Sequence, residues 1–213
     1  MSGIVVAGDT SGSVTLQAPA VAGSSVLTLP VATDTLVGKA TTDVLTNKTL
    51  GSGTVMPTGS VLQVVQTLNN ANTSGSVAIP NDNTIPQITE GTQYLTCTIV
   101  PKSATSKLLV QVMLYIAEPT NVGDGGAIAL FRDATASAIA VGALIRPSSN
   151  LDGGFPCGLS ILTPSNSTSS TTFTVRAGLN GTHILVMNTN TDGAYPKWGG
   201  VYYSGITITE VAA

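Results

Sequence analysis

The chain has 213 residues and a mass of 21.4 kDa; 42% of the residues are hydrophobic, only 9% are charged, and the net charge is −3. There is no run of Lys or Arg, which argues against a nucleic-acid groove and against polybasic membrane attachment, since both need clustered cations. Hydrophobic, charge-poor sequence rich in Thr, Ser, Asn and Gly favours β structure over a helical bundle or disorder. The start, Met1-Ser2-Gly3-Ile4-Val5-Val6, lacks the basic and then apolar pattern of a signal peptide. The longest apolar block, Leu108 to Ala117, is broken by Gln111 and falls far short of the ~20 residues that cross a bilayer. The expectation is a soluble chain, not exported by the ordinary route and not inserted in a membrane.

Five Tyr, three Phe and one Trp all lie at Tyr94 or later. Aromatic side chains bury the largest areas, so residues 1–56 are poorly equipped to close a core of their own. This segment carries a weak repeat. Ser13-Val14-Thr15-Leu16-Gln17-Ala18-Pro19 is echoed twelve residues on by Ser25-Val26-Leu27-Thr28-Leu29-Pro30. Three short phrases ending at Leu36, Leu45 and Leu50 follow. Short strands of this kind leave unpaired edges, which copies of the chain or a partner's surface would cover; a flexible linker is the alternative. Gly51-Ser52-Gly53-Thr54 and Met56-Pro57-Thr58-Gly59 read as a hinge before a second region, 57–213.

In that region strands are predicted over 61–68, 76–79, 93–100, 107–118, 127–132 and 138–145, then 158–162, 172–177, 182–188 and 201–211. Ile206-Thr207-Ile208-Thr209-Glu210-Val211 alternates cleanly. Leu108-Leu109-Val110 and Ile184-Leu185-Val186-Met187 suit central strands covered on both faces. No segment has a convincing helical period. The expected fold is all-β: an extended N-terminal segment followed by an antiparallel sandwich, most simply a jelly roll. Outward positions filled by Thr, Ala or Gly, rather than Lys and Glu, can lie against copies of themselves without desolvating ions, which predicts a homo-oligomer.

Recognisable catalytic chemistry is sparse. Cys97 and Cys157 are too far apart in sequence for a CxxC pair and read as buried thiols. His183 has no Gly-x-Ser-x-Gly elbow beside it, and no phosphate-binding glycine loop is present. Asp124-Gly125, Asp152-Gly153 and Asp192-Gly193 read as tight turns. Asn188-x-Asn190-x-Asp192-Gly193 matches the start of a Ca²⁺ loop, but its twelfth position is Gly199 instead of Glu. No catalytic residue, metal ligand or cofactor is therefore expected. The candidate recognition loop is Asp192 to Gly200, where Tyr195, Lys197 and Trp198 combine aromatic faces with a cation; packing of its rings onto the domain or a neighbouring subunit is the alternative.

Taken in order, several phrases resemble those of tailed-bacteriophage fibre and appendage proteins. They are the Ser11–Pro19 and Leu27–Pro30 stretches, Leu45-Thr46-Asn47-Lys48-Thr49-Leu50, Lys102 to Val110, Ala129 to Asp133, and Ile206 to Glu210. The later phrases are similar to trimeric, tumour-necrosis-factor- or C1q-like jelly-roll tips of phage fibres. The resemblance implies a homotrimeric, non-enzymatic virion component assembled in the host cytoplasm. Its N-terminal segment, including Val14, Leu16, Leu27 and Leu29, would attach to another virion protein. Its jelly roll would project toward a host cell-surface glycan or protein, as in a tail fibre. The near absence of a shaft leaves a capsid decoration or head-fibre protein as the alternative, with a glycan-degrading tailspike and a non-viral C1q-like adhesin behind it.

Overall fold

In a strand, successive side chains point to opposite faces, so the alternating sequence decides which rows meet in the core. A computed structural model describes residues 3–17, 19–21, 23, 24, 26, 31, 49, 54–119, 125–144, 154–189 and 198–213. The chain divides into two units, Met1–Ser52 and Gly53–Ala213.

The described part of the first unit is a hairpin of β1 (Gly3–Ala7) and β2 (Ser13–Gln17). Gly8 N–H donates to the Gly12 carbonyl at 3.0 Å, and Gly12 takes the left-handed conformation that closes the turn. The pairs Ile4–Leu16 and Val6–Val14 share one face, and every residue of both strands is exposed. An isolated two-stranded hairpin is marginal in water. Leu27 and Leu29, the other two attachment candidates, lie outside the described residues.

The second unit holds β3 (Val61–Asn69), β4 (Thr73–Gly75), β5 (Thr92–Ile99), β6 (Lys107–Ala117) and β7 (Gly126–Arg132). It continues with β8 (Ala140–Leu144), β9 (Phe155–Pro164), β10 (Thr171–Leu179), β11 (Leu185–Met187) and β12 (Ser204–Val211). One sheet runs β5-β10-β7-β8; the other runs β3-β12-β6, with β9 on the far edge of β6 and β11 and β4 extending its end. The eight longer strands therefore pair first with last, β3 with β12; then β5 with β10, β6 with β9, and β7 with β8. Such nested antiparallel pairing is a jelly roll.

Between the sheets, Leu108, Val110, Leu114 and Ile116 of β6 meet Phe173 and Val175 of β10 and Ile206 and Ile208 of β12, all buried. Cys97 and Cys157 are buried and free; burial pushes the Cys157 thiol up to about 12, and its S–H donates to the Leu114 carbonyl. A thiol held neutral in this way is a packing group.

Two predicted strands are corrected. The strand expected over 76–79 is displaced to Thr73–Gly75, and 76–80 lies across β10 instead: Ile79 N–H donates to the Leu179 carbonyl at 2.9 Å. Gly178 permits that crossing, since a Cβ there would stand 2.5 Å from the Val77 carbonyl oxygen. Ile79 then covers Ala129 and Phe131 on the outer side of the sheet. The strand expected over 182–188 shrinks to Leu185–Met187, because His183 N–H turns back onto the Gly181 carbonyl at 2.8 Å.

Alternation puts Glu210 in the inward row with Ile206 and Ile208, and it is fully buried. Its carboxylate accepts hydrogen bonds from Gln63 Nε2 (2.5 Å), Lys102 N–H (2.8 Å), Ser103 N–H (3.1 Å) and Ser106 Oγ (2.6 Å). Burial alone would raise its pKa; these donors outweigh burial and hold it below the usual carboxylate range.

Candidate functional site

The outward rows of the β3-β12-β6-β9 sheet form a surface of one character. Register sets Val64, Thr209, Leu109 and Leu162 side by side, then Gln66, Thr207, Gln111 and Ser160, then Leu68, Gly205, Met113 and Gly158. An apolar row alternates with an amide and hydroxyl row, and none of these positions is charged. Gly205 and Gly158 flank Met113, so the absence of two side chains opens a groove of about 620 Å³, with Tyr115 and Tyr203 at one end. Gln66 Nε2 donates to Thr207 Oγ1 at 2.9 Å, which orders its polar row.

At that end the aromatic residues gather. Trp198 opens a short 3₁₀ turn, Trp198–Gly200, and is 70% exposed. It takes φ 43°, a left-handed conformation that a bulky side chain holds only when its surroundings impose it. Its ring meets Tyr202 edge-on at 4.9 Å between centroids, and Tyr202 lies 4.6 Å from Tyr115. Burial, and then the neighbouring Tyr115, raise the Tyr202 phenol above its ordinary pKa, so at neutral pH its O–H stays available as a donor. Asn70 Nδ2 donates to the Gly200 carbonyl at 3.2 Å and ties the turn to the end of β3.

Beneath the rings sits a buried polar clamp. Asn188 Nδ2 donates to the carbonyls of Asn69 (2.8 Å) and Ala71 (2.9 Å), while Asn188 Oδ1 accepts from Ser204 Oγ (2.7 Å). Ser204 Oγ accepts the Tyr115 N–H at 2.9 Å, and Asn188 N–H donates to the Tyr115 carbonyl at 2.9 Å. Asn188, the first position of the calcium-like phrase, thus spends its side chain tying the end of β3 and the loop after it to the start of β12; Asn190, Asp192 and Gly193 lie outside the described residues. Among the described residues no group of three His, Cys, Asp or Glu side chains is placed to hold a metal ion.

Of the recognition candidates, Trp198 stands in this cluster, and Tyr195 and Lys197 lie outside the described residues. Val14 and Leu16 are exposed on β2. Sequence reasoning missed Tyr115 and Tyr202. The parity of β6 could have found the first, since Tyr115 continues the outward row Leu109, Gln111, Met113. Tyr202 was hidden because the final strand was drawn from Val201, whereas left-handed backbone at Trp198, Gly199 and Gly200 delays it to Ser204.

The cluster lies at a defined end of the domain. Gly59 N–H donates to the Ala212 carbonyl and Ala212 N–H to the Ser60 carbonyl, so residues 57–60 come in beside the end of β12. The nine residues of β3, about 30 Å of strand, separate that end from Asn70 and Trp198.

No protein-family model and no curated protein matches the chain. Among solved structures, the chain is similar to the Eiger TNF from S. frugiperda, with 11% identity and a TM-score of 0.41 over 70% of this chain and 92% of that one.

Proposed function

We propose that the protein is a non-enzymatic bacteriophage virion component, a tail-fibre or tail-appendage subunit that contributes to host-surface recognition. The observation that carries this reading is the exposed Trp198 cluster, at the end of the jelly roll opposite the one where the chain comes in. The order of the phage-like phrases supports it. Exposed Val14 and Leu16 supply an apolar face for attachment to another virion protein. Trp198→Ala is expected to reduce binding of the purified protein to host cells at least tenfold with an unchanged melting temperature; equal binding removes Trp198 from recognition. Labelling the protein on intact particles separates tail from head, and label on the capsid would favour a head-fibre or decoration protein.

The domain associates in threes through the outward face, whose three central rows carry no charge, so that β3, β12, β6 and β9 of each copy are covered. Those rows suit a second copy because approach over them desolvates no ion and amide rows can meet amide rows. Met113, 46% exposed beside the groove, is the test. Met113→Lys places one unpaired cation per copy in the contact, costing several kcal/mol. It is expected to shift the solution mass from three times 21.4 kDa toward a single chain mass, while circular dichroism stays β-rich. A wild-type protein that runs as a monomer would refute the assembly.

A further inference from the structure

We infer that Asn180–Gly181 is a site of spontaneous covalent modification, at which the folded chain converts its own asparagine to aspartate or isoaspartate, and that the isoaspartate product loosens the segment crossing β10. The only reagent is water, and the site stands apart from host recognition and from assembly.

Asn180–Gly181 is the only Asn-Gly pair in the chain. Glycine has no Cβ, so its backbone nitrogen can approach the preceding side chain unhindered. The pair lies between the end of β10 at Leu179 and the start of β11 at Leu185, outside any strand ladder, and Asn180 is exposed. Asn81 N–H donates to Asn180 Oδ1 at 2.8 Å. A backbone N–H can only donate, which fixes the facing atom as the amide oxygen. Nucleophilic attack on Asn180 Cγ turns that oxygen into an oxyanion, and a donor already in place stabilises the charge as it develops. Asn188 is the contrast: it is buried, its Nδ2 and Oδ1 are both bonded, and branched Thr189 follows it.

The reaction balances without a cofactor. Gly181 N gives its proton to hydroxide and bonds to Asn180 Cγ; the Cγ–Nδ2 bond breaks, and the nitrogen takes a proton from water and leaves as ammonia, closing a succinimide. Water then adds to one of the two ring carbonyls. Opening the bond from Gly181 N to Cγ restores the main chain with an aspartate, whose oxygen can still accept the Asn81 N–H. Opening the bond from Gly181 N to the α-carbonyl leaves isoaspartate, in which the main chain runs one carbon longer through the former side chain. The carbonyl that held Asn81 is then part of the peptide link and moves with it. Asn180 also donates its N–H to the Gly125 carbonyl at 2.9 Å, so the lengthened residue pulls on two neighbouring segments. One of them carries Ile79, which is bonded to the Leu179 carbonyl and covers Ala129 and Phe131.

Full-length protein kept folded in warm, mildly alkaline buffer is expected to accumulate a more acidic isoform over days to weeks, releasing ammonia in equal amount and faster as pH rises. Peptide mapping should place the change at Asn180 and find isoaspartate there. Asn180→Gln should abolish it, because attack would have to close a larger ring. Gly181→Ala should slow it at least tenfold; Gly181 does not take left-handed backbone, so alanine is not strained there by its φ. Thermal melts check that both variants fold, and if Gly181→Ala does not, Asn180→Gln carries the test. In the isoaspartate form, separated by ion exchange, the Ile79 and Asn81 amides should exchange hydrogen at least tenfold faster than in the unmodified protein, while those of β6 and β12 hold. No acidic isoform, one that maps to another asparagine, or one that forms only in urea overturns the site. Unchanged exchange at Ile79 and Asn81 in the isoaspartate form overturns the loosening.

Discussion

Glu210→Ala is expected to destabilise the jelly roll by about 3 kcal/mol or more, read as a lower denaturant midpoint with an unchanged slope. Four donors now converge on the carboxylate, and each buried donor left unpaired costs about 1–3 kcal/mol. Ser106 Oγ can rotate to another acceptor; the N–H groups of Lys102 and Ser103 are fixed by the backbone. Glu210→Gln is expected to cost less, because one amide oxygen can keep the Lys102, Ser103 and Ser106 bonds and only the Gln63 bond is lost, the Gln63 amide being held by the Val100 carbonyl. The same carboxylate gives a pH dependence of defined sign. Its pKa is held below the unfolded value, so its contribution is complete above the ordinary carboxylate pKa of about 4.3 and is lost as pH falls through the folded value. Wild-type stability should therefore decline on acidification below about pH 4.3, and Glu210→Gln should flatten that decline. A wild-type curve as flat as the variant's would contradict this role.

Phe173→Ala is expected to cost about 3–5 kcal/mol, since deleting a buried ring removes its transfer energy and leaves a cavity. Phe173 is fully buried on β10, paired with Cys97 on one side and Arg132 on the other. The Arg132 guanidinium also lies 5.8 Å from its ring centroid, and its N–H groups donate to the carbonyls of Pro164 and Ser165 across the sandwich. Phe173→Leu retains most of the volume and should cost under about 1.5 kcal/mol. Equal melting temperatures for the alanine variant and the wild type would show that this position does not anchor the sheets.

What the sequence made legible follows from parity. Where alternation was sharp, as in Ile206-Thr207-Ile208 and Phe173-Thr174-Val175, the strands stand where expected: 172–177 lies within β10, and β12 fills 201–211 except its first three residues. Leu108-Leu109-Val110 is apolar on both faces because β6 is paired along both edges and Leu109 stands in an uncharged outward row with Val64, Thr209 and Leu162. The misses come from tertiary effects. Ser76 to Ile79 has strand-like composition, but its backbone lies against β10 through a gap that Gly178 provides one hundred residues later in the chain. Nothing local announces that crossing. For the site, a lone Trp in a glycine-rich stretch was visible as a recognition candidate, whereas its companions were read as ordinary strand residues. A three-ring cluster assembled from β6, the 198–200 turn and Tyr202 is a property of topology. The buried role of Glu210 was implicit in its even spacing with Ile206 and Ile208, though three of its four donors come from a loop about a hundred positions earlier and the fourth, Gln63, from β3.

The nested pairing has a consequence for biosynthesis. β3 forms its ladder with β12, and the Gln66–Thr207 bond spans 141 positions. While a ribosome is still translating the intervening strands, β3 has no such neighbour and its Val64 and Leu68 remain open to a passing nascent chain. Closure of this sheet must wait until β12 clears the exit tunnel, which makes the domain a slow, late folder by contact order and ties its yield to chaperone supply during rapid expression.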